Sequence, residues 1–89
     1  MAWKVELDGA AERDLDKLNP QTAKRILATL HGRVAVLEVP RSIGEALCCS
    51  KLGEFWKYRV GDFRVIASIE DDAVRILVVR IGNPREVYR

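Results

Sequence analysis

Trp3, Val5 and Leu7 alternate with Lys4 and Glu6, the period of two expected of a half-buried strand. Asp8 follows in the position of a helix N-cap. The helix expected over 9–18 puts Ala11, Leu15 and Leu18 on one face and Glu12, Arg13, Asp16 and Lys17 on the other. Asn19-Pro20 starts a second, longer helix, because Asn caps well and Pro at the first helical position forfeits no hydrogen bond. Its apolar stripe of Ala23, Ile26, Leu27, Leu30, Val34 and Leu37 runs to about residue 37, with Gly32 weakening the middle and Pro40 ending the stretch. Residues 41–53 show little periodicity and read as a loop between layers. Three β-rich runs follow, over 55–60, 63–69 and 74–81, joined by Gly61-Asp62 and by a turn around Asp71-Asp72. The expected architecture is α+β: a small antiparallel β-sheet with an N-terminal helical hairpin on one face, in the order βααβββ.

At 89 residues the chain makes one domain, 1–89, with a core too thin to enclose a cofactor-sized pocket; no cofactor is expected. Cys48 and Cys49 are neighbours and staple nothing distant, and two thiols with the single His31 do not complete a zinc site, so no metal is expected. His31 itself falls opposite the apolar stripe, on the solvent side. No apolar run reaches the length of a membrane span, and the start MAWKVELDGA lacks the pattern of a secretory signal, which points to the cytoplasm. Lys and Arg number 15 against 13 acidic residues, a net charge of only +2. Any case for a polyanionic partner must therefore rest on where the charges lie.

A two-residue turn at Gly61-Asp62 sets Val60 against Phe63, and so Arg59 directly against Arg64. Opposed like charges cost a strand pair up to about 1 kcal/mol. Lys57 shares the face of Arg59, whereas Trp56, Tyr58, Val60, Phe63, Val65 and Ala67 share the other and are expected to pack on the helices. One face is core and the other a basic plate. A tail that folds back after Gly82 would bring Arg85 and Tyr88 toward the same plate. Arg, Lys and Tyr without a Ser/His/Asp set or a metal cluster suit a phosphodiester. RNA supplies its own nucleophile, the 2′-OH, so an enzyme needs to move protons and stabilise charge on phosphorus. Arginines serve the second task, and Lys57 and Tyr88 are the candidates for the first.

The segments YRVGDFRV and IGNPREVYR resemble the RelE/ParE superfamily of bacterial toxins, in its RelE branch, and the likeness extends over nearly the whole chain. The resemblance implies a metal-independent endoribonuclease that cuts mRNA in the ribosomal A site by 2′-OH attack, leaving a 2′,3′-cyclic phosphate. It implies two sets of partners, the ribosome with its mRNA and a cognate antitoxin. It assigns the catalytic positions to Lys57, Arg59, Arg64, Arg85 and Tyr88, with Lys51 as a further RNA or ribosome contact. Asn83-Pro84 and Cys48-Cys49 depart from the family pattern, where a His-Arg pair and a basic residue with Gly are common. Two alternatives stay open: a gyrase poison of the ParE type, which needs no basic plate, and a decayed toxin that only binds its antitoxin.

Overall fold

The computed structural model describes residues 3–36, 39–46 and 55–87. Strand β1 (Lys4–Leu7) leads into helix α1 (Gly9–Asp16) and helix α2 (Pro20–Thr29). A π turn (Leu30–Val34), a 3-10 turn (Pro40–Ser42) and the two-residue strand β2 (Glu45–Ala46) follow. Strands β3 (Phe55–Val60), β4 (Phe63–Glu70) and β5 (Arg75–Gly82) and the short helix α3 (Pro84–Val87) complete the fold. The five strands form one sheet in the order β1-β5-β4-β3-β2. The α+β architecture and the antiparallel β3–β4–β5 meander agree with the sequence pattern. The sheet is nevertheless mixed, because β1 pairs parallel with β5, from Lys4 opposite Arg75 to Leu7 opposite Val78. Alternation along β1 shows which face is buried, but it carries no information about a partner strand some seventy residues away.

Local chemistry explains both helix starts. The Asp8 carboxylate accepts from the Ala10 N–H at 3.2 Å, and the Asn19 side chain accepts from the Gln21 N–H at 2.8 Å with Pro20 behind it. The second helix differs from the expected continuous one to residue 37. At Leu30 the hydrogen bonding widens, and the Ala35 N–H donates to the Leu30 carbonyl at 2.8 Å. A straight α-helix would let the row Ile26, Leu30, Val34 drift around the axis; the wider turn draws Val34 back into line. All three side chains are fully buried. Gly32, exposed and with open space around it, lies within this turn.

The core lies between the helices and one face of the sheet. Ala11, Ile26, Leu30 and Val34 meet Tyr58, Val60, Val65, Ala67, Ile76, Val78 and Ile81. Trp3 and Trp56 are half-buried and pack against this core. Each large aliphatic side chain removed from water contributes roughly 1.5–3 kcal/mol. An irregularity of register between Ile66 and Ala67 determines what happens at the end of β5. Ile66 pairs with Arg80 but Ala67 pairs with Val78, so Val79 is an extra residue. The alternation slips by one, Ile81 comes opposite Val65 in the core, and Gly82 comes opposite Arg64.

Candidate nucleic-acid interface

Arg59 and Arg64 are directly opposed across the β3–β4 hairpin. Gly61 makes the turn possible with φ 59°, a left-handed value that a side chain would strain. Strand alternation puts Tyr58, Val60 and Val65 into the core and leaves Lys57, Arg59 and Arg64 on the second face, as the pattern of the chain predicts. That face is not uniformly polar. Ile66 shares it, opposite Lys57, and is buried.

The two arginines are held differently. Arg64 is half-buried and its Nη1 donates to the Phe63 carbonyl at 3.0 Å and to the Gly61 carbonyl at 3.4 Å, which ties the guanidinium to its own turn. A guanidinium has five N–H groups, so this anchoring leaves donors for a ligand. Arg59 is exposed, and no carboxylate among the described residues lies within ion-pair distance of it. Some cations elsewhere are matched, Arg41 by Asp71, Arg75 by Glu6 and Glu70, and Arg80 by Asp14.

Lys57 has a neighbour that the sequence pattern does not reveal. Glu45 of β2 pairs with it in register, and the Glu45 Oε2 stands 3.5 Å from the Lys57 Nζ. Two aromatic side chains hold this connection against β3. The Tyr58 hydroxyl donates to the Pro40 carbonyl at 2.7 Å, and the Trp56 indole donates to the Ile43 carbonyl at 2.8 Å. Burial raises the Tyr58 phenol to about 12, against a weaker opposing effect of Arg41. Gly44, at φ 81°, lies so close to the Lys57 carbonyl and the Trp56 indole that a methyl group there would collide with both. The only sequence signal for this arrangement is Gly44 itself, since a two-residue strand is too short for alternation to show.

These elements enclose a cleft of about 400 Å³ lined by Thr29, Arg33 and Val34 on one side, Ile43, Gly44 and Glu45 at its end, and Lys57, Tyr58, Arg59 and Arg64 on the strand side. Three of the expected site residues thus meet in one cleft. Arg85 is exposed in α3, which begins two residues after Gly82 and packs on β4 and β5. Because Gly82 is the neighbour of Arg64, the tail leaves the sheet beside the arginine pair. Tyr88, Lys51, Cys48 and Cys49 lie outside the described residues. No group of three or more His, Cys, Asp or Glu among the described residues is placed to hold a metal. No helix among them is long and apolar enough to cross a membrane.

The sequence family described as "ParE toxin of type II toxin-antitoxin system, parDE" matches residues 5–88. The chain belongs to that family. Among curated proteins, Toxin RelG of Mycobacterium tuberculosis is 26% identical over 89 residues, spanning all of this chain and 99% of RelG. Among solved structures, a chain of the M. tuberculosis toxin-antitoxin complex RelBE2 superposes with a TM-score of 0.83 at 22% identity, over 97% of this toxin and 95% of that chain. A variant of the E. coli toxin RelE in the free state gives 0.76 at 22% identity, over 99% and 90%. The archaeal RelE-RelB complex of Pyrococcus horikoshii gives 0.70 at 22% identity, over 98% and 99%. The toxin therefore has the RelE/ParE fold and is a toxin of a type II toxin-antitoxin system.

Proposed function

We propose that this toxin is a ribosome-dependent mRNA endonuclease of the cytoplasm, restrained by a cognate antitoxin. One observation carries the reading: Arg59 and Arg64 face each other in a cleft where the fold gains nothing from like charges. Such a pair suits a ligand whose charge is delocalised over several oxygens, as on a phosphodiester in the course of cleavage.

In the proposed reaction the 2′-oxygen of the substrate attacks the adjacent phosphorus, a base accepts the 2′-proton, and the bond from phosphorus to the 5′-oxygen breaks. The products are a 2′,3′-cyclic phosphate and a 5′-hydroxyl protonated by a general acid. Arg59 and Arg64 bind the non-bridging oxygens, and Arg85 approaches from the tail. Lys57 and Tyr88 serve the proton transfers. Glu45, 3.5 Å from the Lys57 Nζ, is a further candidate proton acceptor. Lys51 is a further contact to RNA or ribosome. The antitoxin partner is proposed from the family, and from relatives whose structures are toxin complexes with RelB.

The family description also names ParE, which supports a second reading as a gyrase poison. Inducing the gene and mapping nucleic-acid ends distinguishes the two. Codon-phased mRNA cuts with intact DNA are the expected result. DNA breaks would establish the poison, and neither kind of break would mean that this chain binds its antitoxin without cutting.

A further inference from the structure

We propose that Arg33, on the π turn, is a substrate-positioning residue that holds a phosphate flanking the scissile one, so that the RNA strand crosses the open edge of β3. The inference rests on the nuclease reading above and extends it to a residue outside the strand pair. β2 covers β3 only at Trp56 and Lys57, so beyond Lys57 the outer edge of β3 has no strand partner among the described residues. Arg33 and Val34, from the helical layer, line the same cleft as Lys57, Arg59 and Arg64. Arg33 is exposed, and no described carboxylate lies within ion-pair distance of it.

Charge is the first argument. Among the described lining residues, Arg33, Lys57, Arg59 and Arg64 stand against Glu45, a net +3 set beside the +2 of the entire chain. The volume of about 400 Å³ falls among those of small-ligand sites, roughly 300–1,000 Å³. Half-buried Ile43 adds apolar surface to the lining. A strand of alternating phosphates and bases meets both needs, as electrostatic grooves for single strands do. The second argument is the backbone. The π turn seats Val34 in the core and in the same turn carries Arg33 at the cleft. Wide turns of this kind are frequent at functional sites.

The test compares wild type, Arg33→Ala and Arg33→Lys in cleavage of mRNA on programmed ribosomes over a range of salt concentrations. Arg33→Ala is expected to raise KM about tenfold, to lower kcat less than about threefold, and to reduce the slope of log KM against log salt by about 1. Arg33→Lys should recover most of the KM. An Arg33→Ala toxin with the KM and salt slope of wild type overturns this inference alone. So does a kcat loss as large as that of Arg64→Ala, or an effect confined to antitoxin affinity, which would assign the cleft to an acidic protein segment. A wild-type toxin that leaves mRNA intact overturns the nuclease reading and this inference with it.

Discussion

Arg59 and Arg64 occupy directly opposed positions on β3 and β4, yet only Arg64 is tied down, by the Phe63 and Gly61 carbonyls of its own turn. One arginine is preorganised and the other is free to close on a ligand. Catalytic groups whose geometry is set in advance cost little reorganisation when charge develops.

Arg64→Ala should therefore slow mRNA cleavage by two or more orders of magnitude, the scale on which one lost preorganised donor costs about 3 kcal/mol. Its fold should persist, because the bonds the guanidinium makes are local, to carbonyls within three residues of Arg64. Single-turnover cleavage on ribosomes together with a thermal melt checks both statements, and undiminished cleavage would remove Arg64 from the mechanism.

Arg59→Glu converts an opposed like-charge pair into a cross-strand ion pair. Stability should rise by about 0.2–1 kcal/mol, while cleavage is lost. Urea titration and growth of cells expressing the variant report the two effects independently. A variant both less stable and still toxic would contradict the assignment of this pair to function.

Gly44→Ala should destabilise the toxin by roughly 1–3 kcal/mol, through a φ of 81° and collisions with the Lys57 carbonyl and the Trp56 indole. Relief of the collision requires β2 to withdraw from β3, which separates Glu45 from Lys57. Activity measured well below the melting temperature should fall as well, whereas a silent substitution would show that the approach is not needed.

Tyr58 provides a pH-dependent contribution. Its phenol is raised from 10 to about 12 by burial, so the folded state holds this proton more tightly than the unfolded chain. The corresponding stability is fully present below pH 10 and disappears as pH rises from 10 to 12. Tyr58→Phe should abolish that step. At neutral pH it should cost about 1–3 kcal/mol, by leaving the Pro40 carbonyl without its donor. Denaturation followed at neutral and alkaline pH in both proteins measures the difference.

The chain by itself determined the elements and their faces. The caps at Asp8 and Asn19, the alternation along β3 and β4, and the turn at Gly61-Asp62 are interactions between residues close in sequence, so the opposed arginines were legible before any coordinates. What only the tertiary structure decided depends on contacts between distant segments. The parallel union of β1 with β5 belongs here, as does the extra residue Val79 that brings Gly82 beside Arg64. So do the seating of Glu45 across from Lys57 and the wide turn that brings Arg33 to the cleft. Periodicity specifies which side of an element is wet. Which wet sides meet is settled when the core is packed, because burying Ile26, Leu30 and Val34 against the sheet fixes the position of everything those elements carry.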